Sequence, residues 1–351
     1  MFVFISLLWA STYLLLIAGT EETVSKGENS SLALGLFHKF HKPPWGGGNQ
    51  FLIALARELR KKSIVVHQLS KPREDINLYL ANAITFRFEE LLKQEGSQKN
   101  RIVHRVDGPY YSARYGKDPR VSARDPWRSS EDEKVWHINN KLACATIFQS
   151  KWSYDMNILL GYKPKEPSYI IPNSVDADIF NSKNRTVWEP YPKRKTKLIS
   201  SAWANNQRKG YKTHDWLDKH LDFDRFEYTF IGNVFKDSRF SNVHIMEPLG
   251  SEELGILLKS YDIYIAASYL EPCSNALIEA LVSGLPVIYQ RGSGHDDLVG
   301  EAGLGYNSSD EIPGLLNKVT NDYKFYQSRI KVETMASISE RYLAVFDRCS
   351  G

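Results

Sequence analysis

The chain has few cysteines, and their spacing does not form a known metal or disulfide pattern. Its 351 residues include three, Cys144, Cys273 and Cys349, an odd number with no CxxC pair. This spacing indicates neither a disulfide framework nor a structural zinc site. A reducing compartment is therefore the expected environment, and no bound metal is predicted.

Several motifs that identify common nucleotide-binding or hydrolytic enzymes are also missing. No GxGxxG follows a strand-like run, and the sequence has neither GxxxxGK[ST] nor GxSxG. The first absence argues against a dinucleotide-dependent dehydrogenase, although such enzymes share the strand–helix alternation described below. The other two argue against a P-loop nucleotide-binding protein and an α/β-hydrolase.

The charge is too balanced to indicate nucleic acid as a partner. The net charge is +4, with 25% charged and 42% hydrophobic residues, which is typical of a globular protein. The length is sufficient for two domains, each with its own core. We therefore predict a two-domain globular chain that does not bind nucleic acid.

The first nineteen residues have no charge, and no Lys or Arg occurs before Lys26. Such an apolar stretch approaches the roughly 20 residues that cross a bilayer, but the basic segment of a signal peptide is missing. We favour the interpretation that residues 1–19 form a membrane anchor. A cleaved signal and an upstream extension remain open. The predicted location is membrane-associated, and otherwise cytoplasmic.

Short apolar runs alternate with helical patterns along the rest of the chain. Strands are expected at residues 31–37, 102–106, 143–150 and 261–268, with helices between many of the strands. This alternation predicts parallel sheets covered on both faces. The predicted fold is α/β, with two doubly wound Rossmann-like parallel-sheet domains facing across a cleft. The expected segments are an apolar segment and spacer at 1–30, a first domain at 31–177, a linker at 178–197, a second domain at 198–335, and a C-terminal helix at 336–351 that packs back on the first domain.

One segment of the second half combines two carboxylates with a helix start. Glu271 follows a strand-like run, and Glu279 lies eight positions later in a helical pattern that Gly284 would end. A helix N-terminus attracts phosphate, and nearby carboxylates accept hydrogen bonds from sugar hydroxyls. This combination favours a ligand that is part diphosphate and part polyol, namely a nucleotide sugar.

Four segments, which occur along the chain in the same order as in the family, resemble those of glycosyltransferase family 4, whose members have the GT-B fold. The pair Glu271 and Glu279 matches that family's E-x7-E motif, and residues 46–52 (GGGNQFL) resemble its N-terminal glycine loop. Residues 170–176 (IIPNSVD) resemble the end of its first domain. Residues 201–210 (SAWANNQRKG) resemble its phosphate-binding loop. The resemblance covers the chain from about residue 31 to its end.

The resemblance implies transfer of a sugar from a UDP- or GDP-linked donor, with retention of configuration and without a metal or other cofactor. The acceptor would be a carbohydrate or a lipid-linked compound. The implied catalytic residues are Glu271, His104 and Lys209. The implied donor-binding residues are Gly47, Gly48, Asn205, Arg208, Lys209, Ser274, Asn275, Ala276 and Glu279.

The phosphate loop departs from the family pattern, and this departure favours the first of two alternatives. The family often has an arginine ahead of the loop lysine, where this chain has Ala202-Trp-Ala-Asn205. A non-catalytic nucleotide- or carbohydrate-binding module and a nucleotide-sugar epimerase on the same fold are the alternatives. Asp107 precedes Gly108-Pro109 and is predicted to form a turn rather than act as a base.

Overall fold

The computed structural model describes residues 33–42, 46–69, 71–73, 75–82, 101–109 and 126–350. The apolar segment at residues 1–19 lies outside these ranges. Within them, no helix has both the length and the hydropathy needed to cross a membrane.

The first half of the chain forms a six-stranded parallel sheet in the order β2-β1-β3-β4-β5-β6. The residues of β3 are all buried, as are those of β4 after its first residue, because helices and other chain segments cover both faces. The strands are β1 (Ala33–Phe37), β2 (Val65–Leu69), β3 (Leu78–Asn82), β4 (Arg101–Val106), β5 (Ala143–Phe148) and β6 (Ser168–Ile170), with helices α1 (Gly47–Lys61), α2 (Pro126–Leu142) and α3 (Lys151–Leu159).

A second six-stranded parallel sheet follows, in the order β12-β11-β10-β7-β8-β9. The chain order reverses between the neighbouring strands β7 and β10, and such a reversal opens a crevice at the carboxyl ends of the strands. The strands are β7 (Thr196–Ala202), β8 (Phe226–Gly232), β9 (His244–Met246), β10 (Ile263–Ala266), β11 (Val287–Gln290) and β12 (Gly303–Tyr306). The helices are α4 (Tyr211–His220), α5 (Ser251–Leu258), α6 (Asn275–Val282), α7 (His295–Val299), α8 (Ile312–Asn321), α9 (Tyr323–Ser328) and α10 (Met335–Ser350).

Helix α6 follows the carboxyl edge of β10 and is anchored by its apolar side. Leu277, Ile278 and Leu281 are buried in the core beneath the second sheet. The Ser274 hydroxyl caps the helix by accepting a hydrogen bond from the Leu277 amide at 3.4 Å. At the other end Gly284 has a φ of 87°, which confirms it as the residue that stops the helix. The position of the α6 N-terminus is therefore fixed by packing and by a cap.

The last helix, α10, returns to the first sheet. The Tyr342 ring packs 5.9 Å from the Phe51 ring of α1, centroid to centroid. Cys349 forms a disulfide with Cys144 of β5, with their Cα atoms 5.9 Å apart. The prediction that the cysteines form no disulfide was therefore wrong. The two residues lie 205 positions apart and meet only because α10 crosses back, which local cysteine spacing does not reveal.

Candidate functional site

A cavity of about 310 Å³ opens at the carboxyl ends of β7 and β10, where the order of the second sheet reverses. Its second-sheet wall includes Lys209 and the segment from Glu271 to Ala276. The facing wall comes from the first half of the chain and includes Gly46, Gly47 and Gly48 at the start of α1. The cavity thus brings together residues from all four segments that the sequence singled out, since Asn173 of residues 170–176 also lines it.

The N-terminus of α6 supplies amide donors to this cavity. Ser274, Asn275 and Ala276 all line it. The first amides of a helix have no partner within the helix, and the helix dipole adds partial positive charge at this end. The start of α6 therefore combines amide donors with partial positive charge, the two features that attract an anion.

The loop after β7 presents Lys209 on a short 3-10 turn, Gln207–Lys209. Gly210 ends the turn with a φ of 82°, and a Cβ there would lie 2.2 Å from the Ala267 carbonyl oxygen. Only glycine fits this backbone position, so the loop is held close against the segment that follows β10. This contact fixes the point from which the Lys209 side chain extends.

The Lys209 ammonium forms an ion pair with the Glu271 carboxylate inside the cavity. Burial favours the protonated form of Glu271, but the charge and the hydrogen bond of Lys209 outweigh it. The positive charges of His295 and Arg208 add to this effect, and the pKa of Glu271 is lowered overall. Glu271 is therefore ionised at neutral pH and can accept hydrogen bonds.

Glu279 lies one turn into α6 and also lines the cavity. Burial raises its pKa from 4.5 to about 7. The two glutamates of the motif therefore differ in protonation near neutral pH. Across the described part of the chain, no group of three or more His, Cys, Asp or Glu side chains could hold a metal ion.

The glycine loop meets α6 across the cavity. The side-chain amide of Asn275 donates a hydrogen bond to the Gly47 carbonyl oxygen at 2.6 Å. A Cβ on Gly47 would lie 3.3 Å from the Asn275 Cγ, and one on Gly48 would lie 3.5 Å from the Asn82 Nδ2. The absence of a side chain at residue 47 lets the two helix starts approach closely.

Three predicted site residues lie outside the described walls of the cavity: His104, Asn205 and Arg208. His104 is fully buried within β4, where its Nδ1 lies 3.2 Å from the Asn139 amide nitrogen and burial lowers its pKa to about 4. Asn205 is exposed. Arg208 acts at a distance, because its charge helps to lower the pKa of Glu271. The structure does not bring His104 to the site, since a residue inside a parallel strand is covered on both faces.

Other cavity residues were not among the predicted site residues. Asp107 is the first residue after β4 and lines the cavity, as do Gln149 after β5, Asn173 and His214. Asp107 receives a hydrogen bond from the buried guanidinium of Arg105 at 3.4 Å. Its position at the carboxyl edge of a parallel strand was the available signal, because ligands bind there in open α/β sheets.

Comparison with known proteins points to one fold. The family model of glycosyl transferases group 1 matches residues 219–321, which include both glutamates and α6 but not Lys209. Sucrose-phosphate synthase from Thermosynechococcus elongatus is similar at 14% identity and a TM-score of 0.65, covering 91% of this chain and 96% of that one. No curated protein has a significantly similar sequence.

Two further structures are similar over most of their length. HepE from Anabaena, in complex with UDP and glucose, has 14% identity and a TM-score of 0.64, covering 90% of this chain and 99% of that one. WaaG, a glycosyltransferase of lipopolysaccharide biosynthesis, has 13% identity and a TM-score of 0.63, with 90% and 99% covered. With its two parallel six-stranded sheets, the chain has the GT-B fold of glycosyltransferases, as the sequence predicted.

Proposed function

We propose that this protein is a retaining glycosyltransferase that uses a nucleotide-diphosphate-sugar donor. The observation that carries the proposal is the cavity in which Lys209, the N-terminus of α6 and the two glutamates converge at the switch point of the second sheet. The match of residues 219–321 to the family of glycosyl transferases supports it. The UDP and glucose bound by HepE belong to the ligand class that such a cavity would accommodate.

The diphosphate of the donor would lie at the start of α6. There it would accept hydrogen bonds from the amides of Asn275 and Ala276 and a charge-assisted bond from Lys209. Negative charge grows on this diphosphate as the bond to the sugar breaks. These donors are already in place, and their interaction strengthens as the charge grows. They therefore stabilise the transition state more than the ground state.

Lys209 has a second role that follows from its ion pair with Glu271. The pair keeps Glu271 ionised and holds both groups in the cavity before a donor arrives. The ionised Glu271 would accept hydrogen bonds from hydroxyls of the transferred sugar. Glu279, deeper along α6, would bind the ribose. Gly47 and Gly48 would approach the sugar from the opposite wall.

The acceptor would enter along the wall formed by the first half of the chain. This wall offers Gln50, Asp107 and Gln149 as polar side chains. We propose a carbohydrate or lipid-linked acceptor, retention of configuration and catalysis without a metal. Activity is then expected to survive EDTA, and the anomeric configuration of the product is expected to match that of the donor.

A thermal-shift screen with UDP-, GDP- and ADP-sugars identifies the donor, because a bound ligand raises the apparent stability. Transfer and donor hydrolysis are then compared for wild type, Lys209→Ala and Glu271→Ala. Lys212→Ala is the matched control, because Lys212 is exposed and lies three positions beyond Lys209 without lining the cavity.

We expect both cavity variants to lose transfer while the control keeps it. Wild type that binds a nucleotide through Lys209 but turns over no donor would show a binding module instead. Unchanged binding and turnover in Lys209→Ala would refute the assignment of the phosphate site.

A further inference from the structure

A buried arginine lies at the centre of a polar network beneath the cavity. Arg105 of β4 is fully buried. Its guanidinium donates hydrogen bonds to the Asn82 side chain at the end of β3 and to Asn173 Oδ1 at 2.6 Å. Its Cζ also lies 4.6 Å from the centre of the Phe51 ring of α1. Arg105 therefore connects its own strand, β4, with the end of β3, the segment after β6 and helix α1.

The network continues from Arg105 to both helix starts of the cavity. The Nδ2 of Asn173 donates to Asn275 Oδ1 at 2.7 Å, and the Nδ2 of Asn275 donates to the Gly47 carbonyl oxygen at 2.6 Å. Both asparagines are themselves almost completely buried. One continuous path thus connects the first sheet with the N-terminus of α6 and the N-terminus of α1.

The direction of this path is set by the arginine. A guanidinium has only donors, so the Asn173 oxygen must face it and the Asn173 amide nitrogen must face Asn275. The Asn275 oxygen then accepts, and its nitrogen points to Gly47. Lysine at residue 105 would offer a point charge without the planar fork that reaches two acceptors at once.

Burying this cation contributes little to stability by itself. Removing a charge from water is costly, and apolar residues of similar volume often stabilise a core as well or better. The Asp107 carboxylate is 3.4 Å from the Arg105 guanidinium. The other acceptors described above are the side-chain amide oxygens of Asn82 and Asn173. A buried cation on amide acceptors indicates a requirement for a fixed geometry.

We propose that Arg105 is a positioning residue that sets the spacing between the α1 start at Gly47 and the α6 start at Asn275. This inference rests on the proposed function, because that spacing determines how the sugar lies between the two walls. The nucleotide contacts at Lys209, the α6 amides and Glu279 belong to the second-sheet side of the cavity. The network sets the spacing of the two walls, so we expect it to affect the transfer rate more than nucleotide affinity.

The test compares Arg105→Lys, Asn275→Ala and the double variant with Asn139→Ala. Asn139 is a suitable control because it is fully buried near β4, bonds to His104 and Thr146, and is outside the path. We expect kcat to fall roughly tenfold to a hundredfold in both single variants, since displacement by about 1 Å has effects of this size. UDP affinity is expected to fall by less than kcat, because Lys209 and Glu279 are unchanged. The double variant is no slower than the slower single variant.

Hydrogen–deuterium exchange gives a readout that does not depend on turnover. Peptides covering residues 46–52 and 273–280 are expected to exchange faster in Arg105→Lys and in Asn275→Ala, but not in Asn139→Ala. Wild-type kcat and wild-type exchange in both network variants would overturn the proposal. An Asn139→Ala variant that loses as much kcat as the network variants, for the same loss of Tm, would also overturn it. If wild type transfers no sugar at all, the proposed function fails, and exchange at the two helix starts decides the role of Arg105.

Discussion

The two glutamates of the cavity are expected to have opposite effects on stability as the pH changes. Burial raises the pKa of Glu279 to about 7, whereas Lys209 lowers that of Glu271. A raised carboxyl pKa means that the folded protein binds a proton more tightly than the unfolded chain. The stability from Glu279 is therefore present below pH 4.5 and is lost as the pH rises through about 7. The stability from Glu271 changes in the opposite direction and is lost as the pH falls.

The size of the Glu279 effect follows from its shift. A rise from 4.5 to about 7, at about 1.4 kcal/mol per pKa unit, corresponds to about 3 kcal/mol. Water in the open cavity screens the charge, so we expect about 1–3 kcal/mol in measurement. Glu279→Gln has no such charge and is therefore expected to be more stable than wild type by this amount at pH 8.5. Its advantage is expected to shrink toward pH 5.

Urea unfolding of wild type, Glu279→Gln and Glu271→Gln at pH 5 and pH 8.5 measures this difference. Glu271→Gln is the matched control in the same cavity. It is expected to be less stable than wild type at pH 8.5, because Lys209 loses its partner. A Glu279→Gln variant whose stability follows the wild-type pH dependence would refute the reasoning. A stabilising Glu271→Gln substitution at pH 8.5 would refute the role of the ion pair.

Three further substitutions test particular contacts. Lys209→Ala is expected to weaken UDP binding by about tenfold to a hundredfold in calorimetry, since hydrogen bonds to charged groups contribute about 1.5–3 kcal/mol. Gly210→Ala is expected to lower the free energy of unfolding by about 1–3 kcal/mol in urea titration, because its Cβ would meet the Ala267 oxygen. Cys349→Ser is expected to lower stability by about 2–4 kcal/mol, and a reductant should reproduce this loss in wild type but not in the variant. A Gly210→Ala or Cys349→Ser protein as stable as wild type would contradict the corresponding contact.

The architecture and the second-sheet side of the site could be predicted from local patterns. Strand–helix alternation determines a parallel sheet, and Glu271, Ser274 and Glu279 lie within one βαβ unit whose geometry is fixed by short connections. A helix start beside two carboxylates therefore follows from fewer than twenty consecutive residues. The site residues that lie close together in sequence were the easiest to find.

Residues that depend on contacts between distant segments could not be predicted in this way. The ion pair of Lys209 with Glu271 and the disulfide of Cys144 with Cys349 join segments whose distance in space is set by the whole fold. His104 was assigned to the site because the resemblance to the family implies a histidine there, at the end of a strand. In the structure β4 ends at Val106, as predicted, and His104 is buried two residues before that end, whereas Asp107, one residue beyond the strand, lines the cavity.

A crystal structure of the protein with bound UDP tests the central claim most directly. We expect the diphosphate oxygens within hydrogen-bond distance of Lys209 Nζ and the Ala276 amide, and the ribose hydroxyls on Glu279. UDP bound outside this cavity, or bound with its phosphates away from both Lys209 and the start of α6, would contradict the account.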